Sequence, residues 1–180
     1  MTGIHTERTI GFAHFVHTDP TSKCFRLHGH NWRIEVDIES EIHKDGMIVD
    51  FNVIKSIIDE MDHKVVVPQD LINNPGKKKI WEETNSDVLS KHEFETIAVM
   101  TTGLVYEDDG RRSVKYYEFP REDVFIFPRE FGAVTSENIS KYLWNKFLTV
   151  VQDRTERLAS IKVTVWEGEK SYAYTEDDAA

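Results

Sequence analysis

The chain has 180 residues, and its 22 Lys and Arg residues against 32 Asp and Glu residues give a formal net charge of −10. This acidic balance, without a basic stripe interleaved with aromatic residues, argues against direct nucleic-acid binding. No apolar run approaches the ~20 residues of a membrane span, the N-terminus lacks the apolar region of a signal peptide, and a single cysteine excludes a disulfide scaffold. We therefore expect a soluble, cytoplasmic, single-domain protein over residues 1–180.

The first predicted strand runs from Ile10 to Val16 and carries a histidine on its apolar face. Side chains two residues apart in a strand share a face, so His14 points the same way as Phe12. A lone histidine on an apolar face is more often a core residue with one satisfied hydrogen bond than a metal ligand. His14 alone therefore leaves both interpretations open.

The segment from Cys24 to His30 places a thiol and two imidazoles at the start of a second strand. His28 and His30 are two residues apart and can reach one ion, while Gly29 leaves the backbone uncrowded. Together with His14 they would form a three-imidazole set, which is typical of catalytic zinc sites that keep a fourth position for water or substrate. Ordinary histidines remain the alternative, because short motifs also arise by chance. The pattern leaves Cys24 open as a buried small hydrophobe or as a reactive thiol.

The second strand and the first helix follow directly. Apolar and charged residues alternate over 32–39, which predicts a half-buried antiparallel strand that continues from the two histidines. Asp50 is the predicted N-cap of a helix with apolar residues at helical spacing from Phe51 to Met61, and this helix is expected to end at 62–64.

The C-terminal third is predicted to contain one helix and two strands. Either Thr135 or Ser136 can cap a helix whose apolar stripe extends to Val150. Alternation over 161–166 and a further strand at 172–174, joined by a turn, complete the pattern.

The segment between the two helices reads as an inserted β-hairpin. Apolar stretches at 96–106 and 113–119 flank a turn signal at 108–110. A structureless loop of this length would be unusual inside a compact domain, so we expect secondary structure within it.

Two acidic positions suggest further chemistry. Glu167 continues the inward parity of its strand, and an ionised carboxylate there needs a partner such as a planar heterocycle that offers an amino group and a ring N–H. Alternatively, Glu167 reaches solvent at the end of the strand. Asp62 could orient His63 for proton transfer, although for this dipeptide alone a histidine that stabilises the helix dipole is the better explanation.

Taken together, these signatures resemble the family of the 6-pyruvoyltetrahydropterin and 6-carboxytetrahydropterin synthases. They comprise Phe12-Ala13-His14, Cys24 three residues before His28-Gly29-His30, Val49-Asp50-Phe51, Met61-Asp62-His63, Thr135-Ser136-Glu137-Asn138 and Glu167. The resemblance covers about 8–64 and 134–175. Within it, Val134 stands where proline is usual and Gly168 where threonine is common.

The resemblance implies a tunnelling fold of the α+β class. Such a fold has a four-stranded antiparallel sheet and two helices in ββααββ order, to which this chain would add a β-rich insertion at about 65–133. It also implies a homo-oligomer, a trimer or a dimer of trimers, with active sites at the subunit interfaces.

The resemblance also implies a ligand set and a base. His14, His28 and His30 would bind Zn²⁺, which would hold the side-chain hydroxyls of a pterin triphosphate and act as a Lewis acid. Cys24 would be the general base.

Further roles follow from the same resemblance. Asp62 and His63 would form a catalytic dyad delivered across a subunit boundary, and Glu167 would anchor the amino group and ring N–H of the pterin. Thr135 and Ser136 would make further substrate contacts, although a helix cap explains them as well.

The spacing before His28 bears on the activity. Three residues separate it from Cys24, which resembles the enzymes that convert 7,8-dihydroneopterin triphosphate to 6-carboxy-5,6,7,8-tetrahydropterin, acetaldehyde and triphosphate in queuosine and archaeosine synthesis. Five residues would resemble the pyruvoyl-forming enzymes, and a glutamate in place of the cysteine would resemble members that act toward folate. The alternatives are pyruvoyl formation, a non-catalytic zinc and pterin-binding module, and a relative without metal that acts on purines or dihydroneopterin.

Overall fold

The computed structural model describes residues 1–19, 21–85, 88–101, 115–155 and 157–178. Two α-helices and nine strands occur within these ranges. The helices are α1 (Phe51–Asp59) and α2 (Ser136–Gln152). The strands are β1 (Thr2–His14), β2 (His28–Ser40), β3 (Val65–Pro68), β4 (Ile72–Asn85), β5 (Val88–Thr101), β6 (Lys115–Pro120), β7 (Val124–Phe127), β8 (Leu158–Trp166) and β9 (Tyr172–Asp178). No helix in the described ranges combines the length and apolar character needed to cross a bilayer.

The main sheet has the strand order β7-β3-β1-β2-β8-β9. Strands β1, β2, β8 and β9 are antiparallel neighbours, and the two helices fall between β2 and β8 in the chain. This arrangement confirms the predicted α+β class and both helices. Helix α2 packs against β8 and β9, so one sheet face is covered by helix and forms the main core.

The sheet has six strands instead of the predicted four. Strand β3 runs parallel to β1 at Ala13, and β7 runs parallel to β3 along its full length. Both strands have only four residues and come from the segment assigned to the insertion. Short apolar runs such as Val65–Val67 carry no readable periodicity, because a buried parallel strand does not alternate.

The remaining strands form a separate sheet in the order β4-β5-β6. Strands β5 and β6 pair antiparallel from Thr96 with Pro120 to Thr101 with Lys115, which confirms that the two predicted hairpin arms meet. The turn signal at 108–110 lies outside the described residues. Strand β4 was missed, because its Asn-Asn-Pro-Gly stretch and Lys run indicate a loop.

Capping side chains set the start of both helices. Asp50 accepts a hydrogen bond from the Asn52 N–H at 2.8 Å, as predicted. Thr135, and not Ser136, is the N-cap of α2. Helix α1 ends at Asp59, earlier than the predicted 62–64, because the chain leaves helical geometry before His63, whose φ of +56° lies in the left-handed region.

Candidate metal centre

The register of β1 and β2 brings three imidazoles together on the core face of the sheet. His14 lies directly opposite His28, and His30 lies opposite Phe12 on the same face. The ring centroid of His14 is 4.5 Å from that of His28 and 5.5 Å from that of His30. The alternation of side chains in two paired strands is sufficient to produce this cluster.

Glu167 joins the three histidines from the end of β8. Its Oε1 lies 3.3 Å from His30 Nε2 and 3.6 Å from His14 Nε2. One ligand atom from each of these four residues lies within 4.8 Å of every other, which makes the group able to hold a metal ion. The carboxylate therefore turns inward, as its strand parity predicts, and its side chain is 30% exposed.

Hydrogen bonds fix the tautomers of two of the imidazoles. His14 Nδ1 donates to the Val134 carbonyl at 2.8 Å, and His28 Nδ1 donates to the Arg26 carbonyl at 2.6 Å. A carbonyl can only accept, so each ring carries its proton on Nδ1 and leaves the Nε2 lone pair free. Such an outer partner is characteristic of metal-binding histidines.

The free nitrogens favour a metal over ordinary core packing. The Nε2 atoms of His14, His28 and His30 are all buried, and none has a hydrogen-bond partner among the described residues. As ordinary core residues, His14 and His28 would each leave a buried Nε2 acceptor unsatisfied, which is costly, whereas a cation bound by these lone pairs removes that cost. The residues therefore fit a metal ion.

The surroundings favour the neutral forms of His14 and His30. Burial lowers the pKa of His14 from 6.5 to about 4, and the neighbouring imidazoles of His28 and His30 contribute in the same direction. Burial also lowers the pKa of His30. Neutral imidazole is the form that binds metal.

Trp32 packs against two of the three imidazoles, a contact that was not predicted from the sequence. Its fully buried indole stacks on Phe12 at 4.6 Å and packs edge-to-face with the rings of His14 at 5.0 Å and His30 at 5.5 Å. This contact could have been predicted, because Trp32 follows His30 by two residues in β2 and therefore lies on the same face of the sheet.

The pKa of His14 predicts how acid affects the metal-free protein. The unfolded chain takes up this proton near pH 6.5 and the folded chain only near pH 4, so the unfolded state binds more protons between these values. The free energy of unfolding should therefore fall as the pH drops from about 6.5 to about 4.

Urea titrations in the presence of a chelator measure this free energy at each pH. His14→Gln should flatten the dependence, whereas His63→Gln, at a side chain that is 89% exposed, should retain it. If the free energy of unfolding of His14→Gln had the same pH dependence as the wild type, the lowered pKa of His14 would not be its cause.

Cys24 lies outside the group of potential metal ligands. It occupies a short 3-10 turn, Lys23–Phe25, whose N-cap Ser22 accepts from the Cys24 N–H. The Cys24 carbonyl accepts from the Val16 N–H at 2.8 Å, which ties this turn to the end of β1. The half-buried thiol forms no disulfide.

Asp62 and His63 are paired with each other beside β1, and His63 lines the same open surface depression as His30. Asp62 Oδ1 accepts from the Gly11 N–H at 2.9 Å and lies 3.0 Å from His63 Nδ1. The His63 N–H donates to the Gly11 carbonyl at 2.7 Å, so the backbone is anchored while the ring is exposed. Because α1 already ends at Asp59, a dipole-stabilising role does not explain His63.

Thr135 and Ser136 take part in local structure at the start of α2. Thr135 Oγ1 accepts from the Asn138 N–H at 3.3 Å. The Ser136 hydroxyl donates to Glu137 Oε2 at 3.4 Å and the residue is buried. The helix-cap explanation therefore accounts for Thr135.

Comparison with known sequences identifies the family. A sequence model described as 6-pyruvoyl tetrahydropterin synthase matches residues 3–178. The chain belongs to the 6-pyruvoyl tetrahydropterin synthase family. The match extends beyond the two segments that the motifs alone indicated and runs through the range that holds the insertion.

Relatives within this pterin synthase family carry the carboxy-forming name. A Pyrococcus abyssi protein provisionally named 6-carboxy-5,6,7,8-tetrahydropterin synthase is 29% identical over 170 residues, which cover 94% of this chain and 87% of the relative. The 6-carboxy-5,6,7,8-tetrahydropterin synthase of Aquifex aeolicus is 34% identical over 68 residues, covering 35% of this chain and 40% of the relative.

Solved structures of the family share the fold. The 6-pyruvoyltetrahydropterin synthase of Plasmodium vivax superimposes with a TM-score of 0.60 at 20% identity, covering 98% of both chains. At this identity the likeness concerns the fold.

Proposed function

We propose that the protein is a zinc-dependent 6-carboxytetrahydropterin synthase. It would convert 7,8-dihydroneopterin triphosphate and one water molecule to 6-carboxy-5,6,7,8-tetrahydropterin, acetaldehyde and triphosphate, as a step toward queuosine or archaeosine. The observation that carries this proposal is the group of His14, His28, His30 and Glu167, in which the three histidine Nε2 atoms are buried and have no hydrogen-bond partner among the described residues. The three-residue spacing between Cys24 and His28 and the names of the relatives support the carboxy-forming reaction.

His14, His28 and His30 would hold the zinc ion. When bound, zinc supplies Lewis acidity, which lowers the pKa of substrate hydroxyls and of the adjacent carbon. The chain prepares the ligands in advance, because two Nδ1–H groups are fixed by carbonyls and the His14 ring is completely buried. Little reorganisation is then needed on binding.

Cys24 would act as the general base that moves a proton at the substrate side chain. Both backbone groups of Cys24 are held, since its N–H donates to the Ser22 side chain and its carbonyl accepts from the Val16 N–H. A base must be held within hydrogen-bond reach of the proton that it takes, and this anchoring would provide that placement.

Asp62 and His63 would complete the site of a neighbouring subunit. Within one chain, the His63 backbone is bonded to Gly11 and its ring is exposed. Gly11 has the opposite parity on β1 to Phe12 and His14. Asp62 occupies the Nδ1 side of the ring, so Nε2 would face the partner's substrate. A homo-oligomer, a trimer or a dimer of trimers, is therefore part of the proposal.

Glu167 would anchor the pterin, with further contacts from Thr135 and Ser136. A carboxylate accepts two parallel N–H bonds, which suits an amino group beside a ring N–H. Because Glu167 Oε1 lies 3.3 Å from His30 Nε2, this anchor would set the distance between the pterin ring and the metal.

Glu167→Gln is expected to weaken pterin binding much more than zinc binding. Loss of two charge-assisted hydrogen bonds should reduce the affinity for a non-reacting pterin such as neopterin about 10- to 100-fold. Calorimetric titration of the zinc-loaded protein measures this, with Glu169→Gln as the control, since that exposed side chain lies in the same turn. Equal neopterin affinity in the wild-type and Glu167→Gln proteins would rule out the anchor.

Product analysis tests the proposed function. The zinc-loaded protein is incubated with 7,8-dihydroneopterin triphosphate, products are identified by mass spectrometry, and acetaldehyde is assayed separately. We expect 6-carboxytetrahydropterin and acetaldehyde in equal amounts, and no turnover in the metal-stripped protein. Pyruvoyltetrahydropterin would assign the sister activity instead, and zinc binding without any turnover would indicate a non-catalytic binding module.

A further inference from the structure

The chemistry proposed above leaves one motif largely unused, namely Thr135-Ser136-Glu137-Asn138 at the start of α2. Immediately before it stands Val134, whose carbonyl accepts the hydrogen bond from His14 Nδ1. The motif is therefore one residue away from the group that orients a candidate metal ligand. Helix capping alone does not explain why the motif directly follows the residue that bonds His14.

The peptide unit between Val134 and Thr135 is held on both of its sides. Its carbonyl accepts from His14 Nδ1 at 2.8 Å, and its N–H donates to the Ala133 carbonyl at 3.0 Å. A peptide unit is planar, with its C=O and N–H pointing in opposite directions. Fixing the N–H therefore also fixes the direction of the carbonyl that His14 meets.

Asn138 holds the acceptor on which this arrangement depends. Its Nδ2 donates to the Ala133 carbonyl at 2.9 Å, and its own N–H donates to Thr135 Oγ1 at 3.3 Å. The Asn138 side chain and the Thr135 N–H thus share one acceptor. Ala133 and Val134 are both buried, so water does not replace these bonds.

We propose that Asn138 is a positioning residue for the metal centre. Through the Ala133 carbonyl it fixes the Val134–Thr135 peptide, which in turn sets the tautomer and ring plane of His14. This inference rests on the proposed metal site. Loss of an outer partner of a metal-ligating histidine reduces metal affinity on the order of 10–100-fold, and because Asn138 acts through a carbonyl that its variants retain, we expect the lower end of that range, about 10-fold.

Asn138→Asp is the most direct variant. The carboxylate has the same shape but cannot donate, so it would face the Ala133 carbonyl with a repelling oxygen. Helix stability should change little, since a negative charge in the first turn of a helix is favourable.

The chain offers a matched control in the same helix. Asn145 Nδ2 donates to the Lys141 carbonyl at 2.8 Å, and the residue is exposed. Asn145→Asp removes the same kind of bond away from the metal centre. Asn138→Ala, which removes the donor without adding a charge, separates loss of the bond from repulsion.

The experiment compares zinc affinity, by competition with a chromophoric chelator, and the visible absorption of the Co²⁺-loaded proteins. We expect about 10-fold weaker zinc binding and an altered Co²⁺ spectrum in Asn138→Asp, a smaller loss of zinc affinity in Asn138→Ala, and wild-type behaviour in Asn145→Asp. Wild-type affinity and spectrum in both Asn138 variants would overturn the inference, as would equal losses in Asn145→Asp. If the wild-type protein binds neither Zn²⁺ nor Co²⁺, the proposed function and the inference both fail. If the wild type binds metal and the Asn138 variants bind it equally well, only the inference is overturned.

Discussion

Cys24→Ala is expected to lose most of the turnover while it retains the metal. Cys24 is not in the group formed by the three histidines and Glu167, so removal of its thiol leaves the proposed ligands and the pterin anchor in place. Loss of a positioned general base typically reduces the rate about 10²- to 10⁴-fold. Steady-state release of triphosphate measures turnover, and elemental analysis of the same preparation measures bound zinc.

Two other results for Cys24→Ala would be informative. A fully active variant would remove Cys24 as the base. Loss of zinc along with activity would make the thiol a ligand, which the present geometry does not support, because Cys24 is not in the group of residues whose ligand atoms lie within 4.8 Å of one another.

His28→Ala is expected to abolish tight metal binding and, with it, turnover. Two imidazoles cannot replace the three-nitrogen set, and the loss should exceed the roughly 10–100-fold cost of removing only an outer partner. Zinc affinity is measured by chelator competition. His5→Ala provides the control, because His5 pairs with Asp37 away from the cluster and should leave both metal content and turnover unchanged. Stoichiometric zinc in His28→Ala would contradict the assigned ligand set.

Alternation along single strands was enough to predict the histidine cluster. His14, His28 and His30 share a face because of residue parity alone, and the antiparallel pairing of β1 with β2 places His14 opposite His28. The helix starts could be predicted because capping is local. Asp50 and Thr135 each accept a hydrogen bond from a backbone N–H within the next three residues.

Features that depend on long-range packing could not be predicted in this way. The hydrogen bond from His14 to Val134 joins residues 120 positions apart, and it exists only because α2 begins beside the end of β1. The inward parity of Glu167 was readable, but its approach to His30 requires the pairing of β2 with β8. Strand β3 carried no periodic signal, and its place in the sheet follows from parallel pairing with β7.

The most direct test of the account is to measure metal content and turnover on one preparation of the wild-type chain. The account predicts one tightly bound zinc ion per chain, loss of turnover when a chelator removes it, and recovery of turnover when zinc is restored. Full turnover by protein that contains no metal would contradict the central claim that His14, His28 and His30 form a catalytic metal centre.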